Sequence, residues 1–369
     1  VKLGIVRRGV KGVLPFVVTR ARIPVHTLYA AYMIRPGVGY VRLESFGMKT
    51  HDEFMNAVDS LQKKGMKSLI LDLQDNGGGF LQSAVQIANE FLKDRDMIVY
   101  TEGRRSRRHN YQAIGNGRLQ KIKVYVLVNE LSASAAEIVT GAIQDNDRGT
   151  VIGRRTFGKG LVQRPLDLPD GSMIRLTIAH YYTPSGRCIQ QLDYSHRNAD
   201  GSVSAVPDSL TSVFYTASGR PVRDGGGIRP DFEMEEKKTP TMLFYLVNDF
   251  ALFDFVTDWV RAHPTIAPAK DFVFPDADYE SFKKRLKEAN FTYDRQSEKA
   301  LKSLREVAEY EGYLAEDSAT FVALEARLKP NLDRDLERYK DDIKKIIAAE
   351  IVKRYYYQEG EMIENLKGD

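Results

Sequence analysis

Hydrophobic residues follow two rhythms along this chain. Up to about residue 235 they gather in short strand-like runs separated by amphipathic stretches, and beyond it they recur every three or four positions in a charged background. Near the start, Val1–Val6 and Phe16–Ile23 are β-rich runs around the turn GVKG and predict a hairpin. A lone pair of strands is marginal in water, so the pair is expected to rest on something else. VGYVRLESF, residues 38–46, predicts a further strand. From Thr50 to Lys64 an amphipathic helix is expected, with Phe54, Val58 and Leu61 at helical spacing.

SLILDLQ is nearly all apolar, which is the mark of a buried parallel strand, and it leads through NGGG into the helical stretch FLQSAVQIANEFL. KVYVLVN and SASAAEIVTGAIQD repeat the pattern of buried strand, loop and helix. This order predicts an α/β core built on a mixed, largely parallel sheet. Thr150 to Pro184 is β-rich, with Asp170-Gly171 as a hairpin turn, and residues 186–231 read as long irregular structure. Past Glu235, Leu336, Tyr339, Ile343, Ile346, Ile347 and Ile351, and earlier Leu301, Leu304 and Val307, predict a separate helical domain. The expected units are therefore 1–25, 26–235 and 236–369.

Length and composition narrow the function. The 369 residues suffice for two or three domains, and a 43% hydrophobic content supports a true core. The 54 basic and 50 acidic residues nearly cancel to +4, which argues against a nucleic-acid partner. The run of Arg104, Arg105, Arg107 and Arg108 reads as a solvated loop, with a substrate-steering patch as the alternative. A single cysteine, Cys188, excludes an intrachain disulfide. No apolar run reaches the roughly 18 residues a membrane helix needs. The chain opens inside a strand, with neither initiator Met nor signal peptide, and so reads as a fragment.

Three loops carry candidate chemistry. Ser134 follows a buried strand and opens a helix, where free N–H groups and the helix dipole would stabilise an oxyanion; an N-cap role is the plainer alternative. Asn76-Gly77-Gly78-Gly79 is a second strand-to-helix turn, able to aim N–H groups at a ligand. It lacks the Gly-Lys-Ser/Thr of a phosphate loop. Lys159, between glycines in TFGKG, could reach into a cleft and, if desolvated, take a serine proton, although a lone exposed lysine is commoner. The histidines are His26, His51, His109, His180, His196 and His263, and none lies in a Gly-Xaa-Ser-Xaa-Gly elbow. His180 reads as packing or substrate-lining. No metal-ligand spacing occurs, and neither a metal nor another cofactor is implied.

Together the segments VKLGIVRRG, GYVRLESFG, LILDLQDNGGG, SASAAEI, IGRRTFGKGLVQ, LTIAHYYTPSGRCIQ and GGGIRPD resemble the carboxyl-terminal processing (tail-specific) proteases, in order and in spacing, over at least residues 1–231. The resemblance implies a ClpP/crotonase-like core. It makes Ser134 the nucleophile, Lys159 the general base and Gln163 a residue that orients the lysine. It points to Ala135 and Gly78, with Gly79 as the alternative, for the oxyanion hole. Tyr40, Arg42, Phe157, Gly158 and Tyr182 are expected to line the substrate path. Asp145 also matches a family position, but eleven helical residues place it about 16 Å from Ser134, which suits structural support.

The glycine loop departs from the family's Arg-Xaa-Asn-Pro-Gly-Gly. Residues 1–25 resemble only the last strands of a PDZ domain. The expected function is a serine endopeptidase acting near protein C-termini through an acyl-enzyme, outside the cytoplasm and most simply in the periplasm. Its partners would be proteins or peptides with accessible C-termini, with a homo-oligomer left open. The rivals are a non-catalytic scaffold of the same fold and an acyl-CoA enzyme.

Overall fold

The computed structural model describes residues 1–7, 10–23, 25–194, 197–235, 239–294, 296–329 and 331–367. Gly9 of the first turn, His196 and the start of the third expected unit at residue 236 lie outside them. β1 (Lys2–Val6) and β2 (Val13–Val17) pair antiparallel as an isolated two-stranded sheet. The second strand begins before the run expected for it, because Val13 is the partner of Val6. The chain then enters β3 (Leu28–Arg35) and β4 (Val38–Leu43), which pair antiparallel. β3 was not expected: LYAAYMIR, short and alanine-bearing, fits helix and strand equally.

α1 (Thr50–Lys63) leads to β5 (Ser68–Asp72), and α2 (Leu81–Phe91) to a hairpin of β6 (Met97–Gly103) and β7 (Ser106–Gln112). β8 (Lys123–Val128), α3 (Ala135–Asp145) and β9 (Thr150–Gly153) follow. Next come a long hairpin of β10 (Leu161–Asp167) and β11 (Met173–Tyr182), a short one of β12 (Val213–Tyr215) and β13 (Pro221–Arg223), and β14 (Phe232–Glu233). The main sheet has the order β14-β9-β8-β5-β4-β3 and is parallel except at β3. A second sheet runs β10-β11-β6-β7.

The main core joins Val41, Leu69, Leu71, Val126 and Val128 of the sheet to Phe54, Val58, Ile87, Phe91, Val139 and Ile143 of the helices, all fully buried. Burial of each such side chain contributes roughly 1.5–3 kcal/mol. The charges at the ends of α1 suit its dipole, with Asp52 and Glu53 in its first turn and Lys63 in its last. The arginine run is a strand edge rather than a loop: Arg107 and Arg108 belong to β7, and Arg104 and Arg105 to the turn before it.

The remaining helices are α4 (Thr241–Asn248), α5 (Ala251–Ala262), α6 (Asp276–Glu288), α7 (Gln296–Tyr310), α8 (Leu314–Leu328), α9 (Leu332–Arg338) and α10 (Lys340–Asn365). Their core takes Leu336, Ile343, Ile347 and Ile351 at full burial, as the periodicity predicts. Leu301 is also buried, but Leu304 and Val307 are exposed, because α7 packs mainly on α8. The end of α10 seats on β3: the Tyr29 hydroxyl donates to Glu361 at 2.7 Å, and Met362 packs with Ala30, Tyr32 and Tyr40. Among the described residues no helix is long and apolar enough to cross a membrane.

Candidate active site

β5 and β8 are in-register parallel neighbours, with Asp72 beside Leu127. The turns that leave their C-terminal ends therefore emerge side by side, where open α/β sheets hold ligands. The turns are stitched together. The Asp75 N–H donates to Asn129 Oδ1 at 2.9 Å, the Asn129 amide donates to Asp75 at 2.8 Å, and the Ala133 N–H donates to the Asn76 carbonyl at 2.9 Å. Ser132, fully buried, donates to the Leu73 carbonyl at 2.7 Å, which fixes it as a structural hydroxyl. Gly78 has φ 93°, and a Cβ there would lie 2.6 Å from the Ala133 carbonyl oxygen and 2.8 Å from the Ala135 nitrogen. Only glycine permits that approach.

Ser134 stands at the end of the second turn with φ 57° and ψ −112°, a conformation that costs a non-glycine residue about 1–3 kcal/mol. The fold holds it there from both sides. Its N–H donates to Glu137 at 2.8 Å, and its carbonyl accepts from Ile138 N–H at 3.0 Å and lies 3.1 Å from the Tyr181 hydroxyl. The strained backbone leaves a half-buried serine side chain at the first turn of α3.

Glu137 is the hub of the site, and the sequence reading did not name it. It is fully buried and accepts four donors, two on each oxygen. Oε2 takes the N–H groups of Ser134 (2.8 Å) and Lys159 (2.9 Å); Oε1 takes the Gly158 N–H (2.7 Å) and the Thr156 hydroxyl (2.6 Å). The Thr156 oxygen in turn accepts from Ile228 N–H at 2.7 Å, so its proton is free for Glu137. Burial pushes the Glu137 pKa up, and its four donors oppose that shift. A group contacted only by donors acts as an acceptor, which is the role of a carboxylate. One buried anion thus fixes the backbone of the serine turn to that of the lysine loop. The signal was present as Ser-Ala-Ala-Glu, the Ser-Xaa-Xaa-Glu spacing of a capping box.

Tyr181 adds a second tie: its hydroxyl also donates to the Lys159 carbonyl. Burial, and the neighbouring Glu137, push its pKa well above the ordinary value, so it remains a donor. Lys159 and Gln163 both face a cleft of about 1250 Å³ shared with Ser134, Ala135, Gly78, Gly79, Phe80, Leu161, Pro165 and Arg175. β10 does not alternate simply up to Gln163: a bulge at Val162/Gln163 lets both residues line the cleft. The side chains of Ser134 and Lys159 line the same space without a hydrogen bond between them.

Backbone donors near Ser134 can be sorted by what they already hold. The Gly78 N–H donates to Asn76 Oδ1 at 2.9 Å, so it is committed and does not suit the oxyanion role expected of it. Ala135, the first residue of α3, and Gly79 have N–H groups with no described acceptor. Gly79 has φ 147°, and a Cβ there would meet the Phe46 carbonyl oxygen at 2.1 Å.

Several expected lining residues stand elsewhere. Tyr40 is buried beneath β3 and α10 and donates to Asp72, while Arg42 spans Asp72 (3.2 Å) and Asp75 (3.0 Å), bracing the base of the glycine turn. The wall that GYVRLESFG does supply comes from its far end, Ser45, Phe46 and Gly47. Phe157 is exposed outside the cleft, and Gly158 contributes its N–H to Glu137. Tyr182 stacks on Tyr100 at 4.8 Å. Asp145 is buried against Arg187 at 2.6 Å and accepts from the Ser185 hydroxyl at 2.7 Å, so it ties the end of α3 to the loop beyond β11. His180 is half-buried outside the cleft, and burial lowers its pKa. Among the described residues one histidine does reach the cleft: His26, with Nδ1 3.0 Å from Glu53 Oε1. No group of metal-ligating side chains occurs among the described residues.

A strained serine at a helix start, a lysine lining the same cleft and backbone N–H groups without a described acceptor beside the serine thus meet in one place. Two family models match the chain: "Peptidase family S41" over residues 37–195 and "Probable PDZ-protease, C-terminal helical domain" over residues 242–369. Over residues 37–195 the chain is thus similar to peptidase family S41. The carboxyl-terminal-processing protease of Picosynechococcus sp. is 41% identical over 177 residues, which is 47% of this chain and 42% of that protein. The carboxy-terminal processing protease CtpA of Bacillus subtilis is 37% identical over 191 residues, 52% of this chain and 40% of that one. Among solved structures, a photosystem II D1 C-terminal processing protease is 30% identical with a TM-score of 0.44, covering 63% of this chain and 54% of that chain. The chain spans about two fifths of the length of the curated relatives it matches.

Proposed function

We propose that the cleft is the active site of a serine endopeptidase that cuts polypeptides near their C-termini. The observation that carries this reading is the Glu137 clamp, which sets the strained nucleophile turn and the lysine loop in one fixed frame. In the reaction, the Lys159 amine accepts the Ser134 hydroxyl proton as Oγ attacks the scissile carbonyl. The Ala135 and Gly79 N–H groups receive the oxyanion. The C–N bond breaks as the leaving amine takes the proton from Lys159, leaving an acyl-serine. Water then gives its proton to Lys159 and attacks the ester, and Ser134 regains its proton as the product acid leaves. Gln163 stands on the same wall and orients the lysine. Apo sites of this kind are commonly slack, and substrate draws the two side chains together.

The substrate, an extended chain with an accessible C-terminus, would lie along the Ser45–Gly47 wall. The β1–β2 hairpin is read as the end of a PDZ-type domain and residues 236–369 as the helical C-terminal domain. The location is read as extracytoplasmic on the family resemblance. The test is cleavage of an unstructured protein by Ser134→Ala and Lys159→Ala variants made separately. Loss of activity in both supports the dyad, and full activity in either refutes it. A second reading, in which His26 with Glu53 supplies the base, rests on the position of that pair in the cleft. It predicts that His26→Ala is inactive and Lys159→Ala active, the reverse of the primary reading.

A further inference from the structure

The second sheet ends in an unpaired edge. In the order β10-β11-β6-β7, β10 walls the cleft and β7 lies at the other side, three inter-strand steps or about 14 Å away. The segment Gly103–Gln112 reads GRRSRRHNYQ, with four arginines and no carboxylate. Arg104, Arg105, Arg107 and Arg108 are all exposed. Among the described residues, Arg104, Arg105 and Arg107 have no carboxylate partner. Arg108 is held over the Tyr100 ring at 3.7 Å and donates to Asn110 Oδ1 at 2.9 Å, so its guanidinium has a fixed place. Tyr100 stacks on Tyr182, next to the Tyr181 that bonds the Ser134 and Lys159 carbonyls. The platform is therefore rigid and continuous with the cleft wall.

We propose that the free edge of β7 is a docking site for an extended acidic segment of the polypeptide substrate; this rests on the peptidase reading above. A strand edge offers alternating N–H and C=O groups that only another extended backbone completes. Guanidinium forks add bidentate recognition of carboxylates. Each half of the site explains what the other lacks: charge selects the acidic chain, and the edge selects its extended backbone.

The test uses the full chain carrying Ser134→Ala, so that binding is read without turnover. A labelled peptide of alternating Glu and Thr is titrated by fluorescence anisotropy, beside its N-methylated form and a Lys/Thr peptide. Binding of the acidic peptide alone, weakening with salt, is expected. Each exposed ion pair contributes a factor of about 1.4 to 5, so Arg104→Gln/Arg105→Gln/Arg107→Gln should weaken binding about threefold or more, with the circular dichroism spectrum unchanged. In the chain with Ser134 intact, the same triple substitution should raise KM for an acid-flanked substrate and leave kcat near wild type. Equal binding by the triple variant overturns the proposal, as does equal binding of the N-methylated peptide. Binding to vesicles of anionic lipid with none to the peptide would also overturn it, in favour of a membrane surface. If the peptide binds but no protein is cleaved, the peptidase reading fails while the acidic docking edge stands without its substrate role.

Discussion

Glu137→Gln is the most informative single change. Each Glu137 oxygen accepts two donors, and the amide would turn an NH₂ toward one of those pairs. Bonds to a charged acceptor contribute about 1.5–3 kcal/mol each, so facing two donors with a donor should cost about 3–6 kcal/mol. For a unit of this size each kcal/mol lowers Tm by about 2–4 °C, which gives a fall of roughly 6–24 °C. The chemical consequence is separable from that loss. The Ser134 turn and the Lys159 loop would no longer share an anchor, and misplacing reacting groups by about 1 Å costs roughly 100-fold in rate. The assay is the rate at which a serine-reactive phosphonate labels Ser134, measured well below the lowered Tm, alongside kcat on a peptide. A fall in labelling of about two orders of magnitude is expected, with partial recovery in Glu137→Asp. A lower Tm with wild-type labelling would refute the positioning role and leave Glu137 a purely structural anion.

Other expectations follow from the same geometry. Gly79→Ala would force its Cβ into the Phe46 carbonyl and swing the open N–H away; kcat should fall about 100- to 1000-fold, as for loss of one oxyanion donor, with KM little changed in steady-state kinetics. Asp145→Ala would leave Arg187, 1% exposed, without its anion, at a cost of about 3–5 kcal/mol; scanning calorimetry should show a lower Tm, while phosphonate labelling at low temperature stays near wild type. For Glu53, burial acts to raise the pKa, but the N–H groups of Thr27 and Leu28, the Thr27 hydroxyl and His26 outweigh it and bring it below 4.5. A depressed carboxylate pKa gives stability that is present above the unfolded value and is lost as pH falls through the folded one. The segment before β3 should therefore stay anchored near neutral pH and loosen in acid below the ordinary carboxylate range. Glu53→Gln should loosen it at neutral pH, read as faster tryptic cutting at Arg20 and Arg22.

The parts of this fold that could be read in advance were those where one local pattern has one structural meaning. SLILDLQ and KVYVLVN are short apolar runs, each closed by a turn-forming stretch of small and polar residues before a helical pattern, so the two strand-to-helix loops were legible, with Ser134 in the second. Lys159 and Gln163 were legible only through the resemblance of FGKGLVQ, because nothing in their spacing alone directs them to one cleft. The errors came from tertiary facts. Alternation along GYVRLESF separates two faces but does not say which is covered by α10, and Tyr40 was placed on the wrong one. The commitment of the Gly78 N–H to Asn76 is a local side-chain bond that a glycine run cannot announce. β3 and the β6–β7 hairpin lack a distinctive period, and α7 shows helical spacing although much of its apolar stripe stays in solvent. Glu137 was legible and overlooked, as the acid of a Ser-Xaa-Xaa-Glu spacing in the first turn of a largely apolar helix.

Mass spectrometry of the chain after reaction with a fluorophosphonate tests the dyad most directly. A single adduct on the peptide carrying Ser134, formed rapidly in the wild-type chain and His26→Ala and lost in Lys159→Ala, is the predicted result. An adduct that forms equally fast without Lys159, or that maps to another serine, would contradict it.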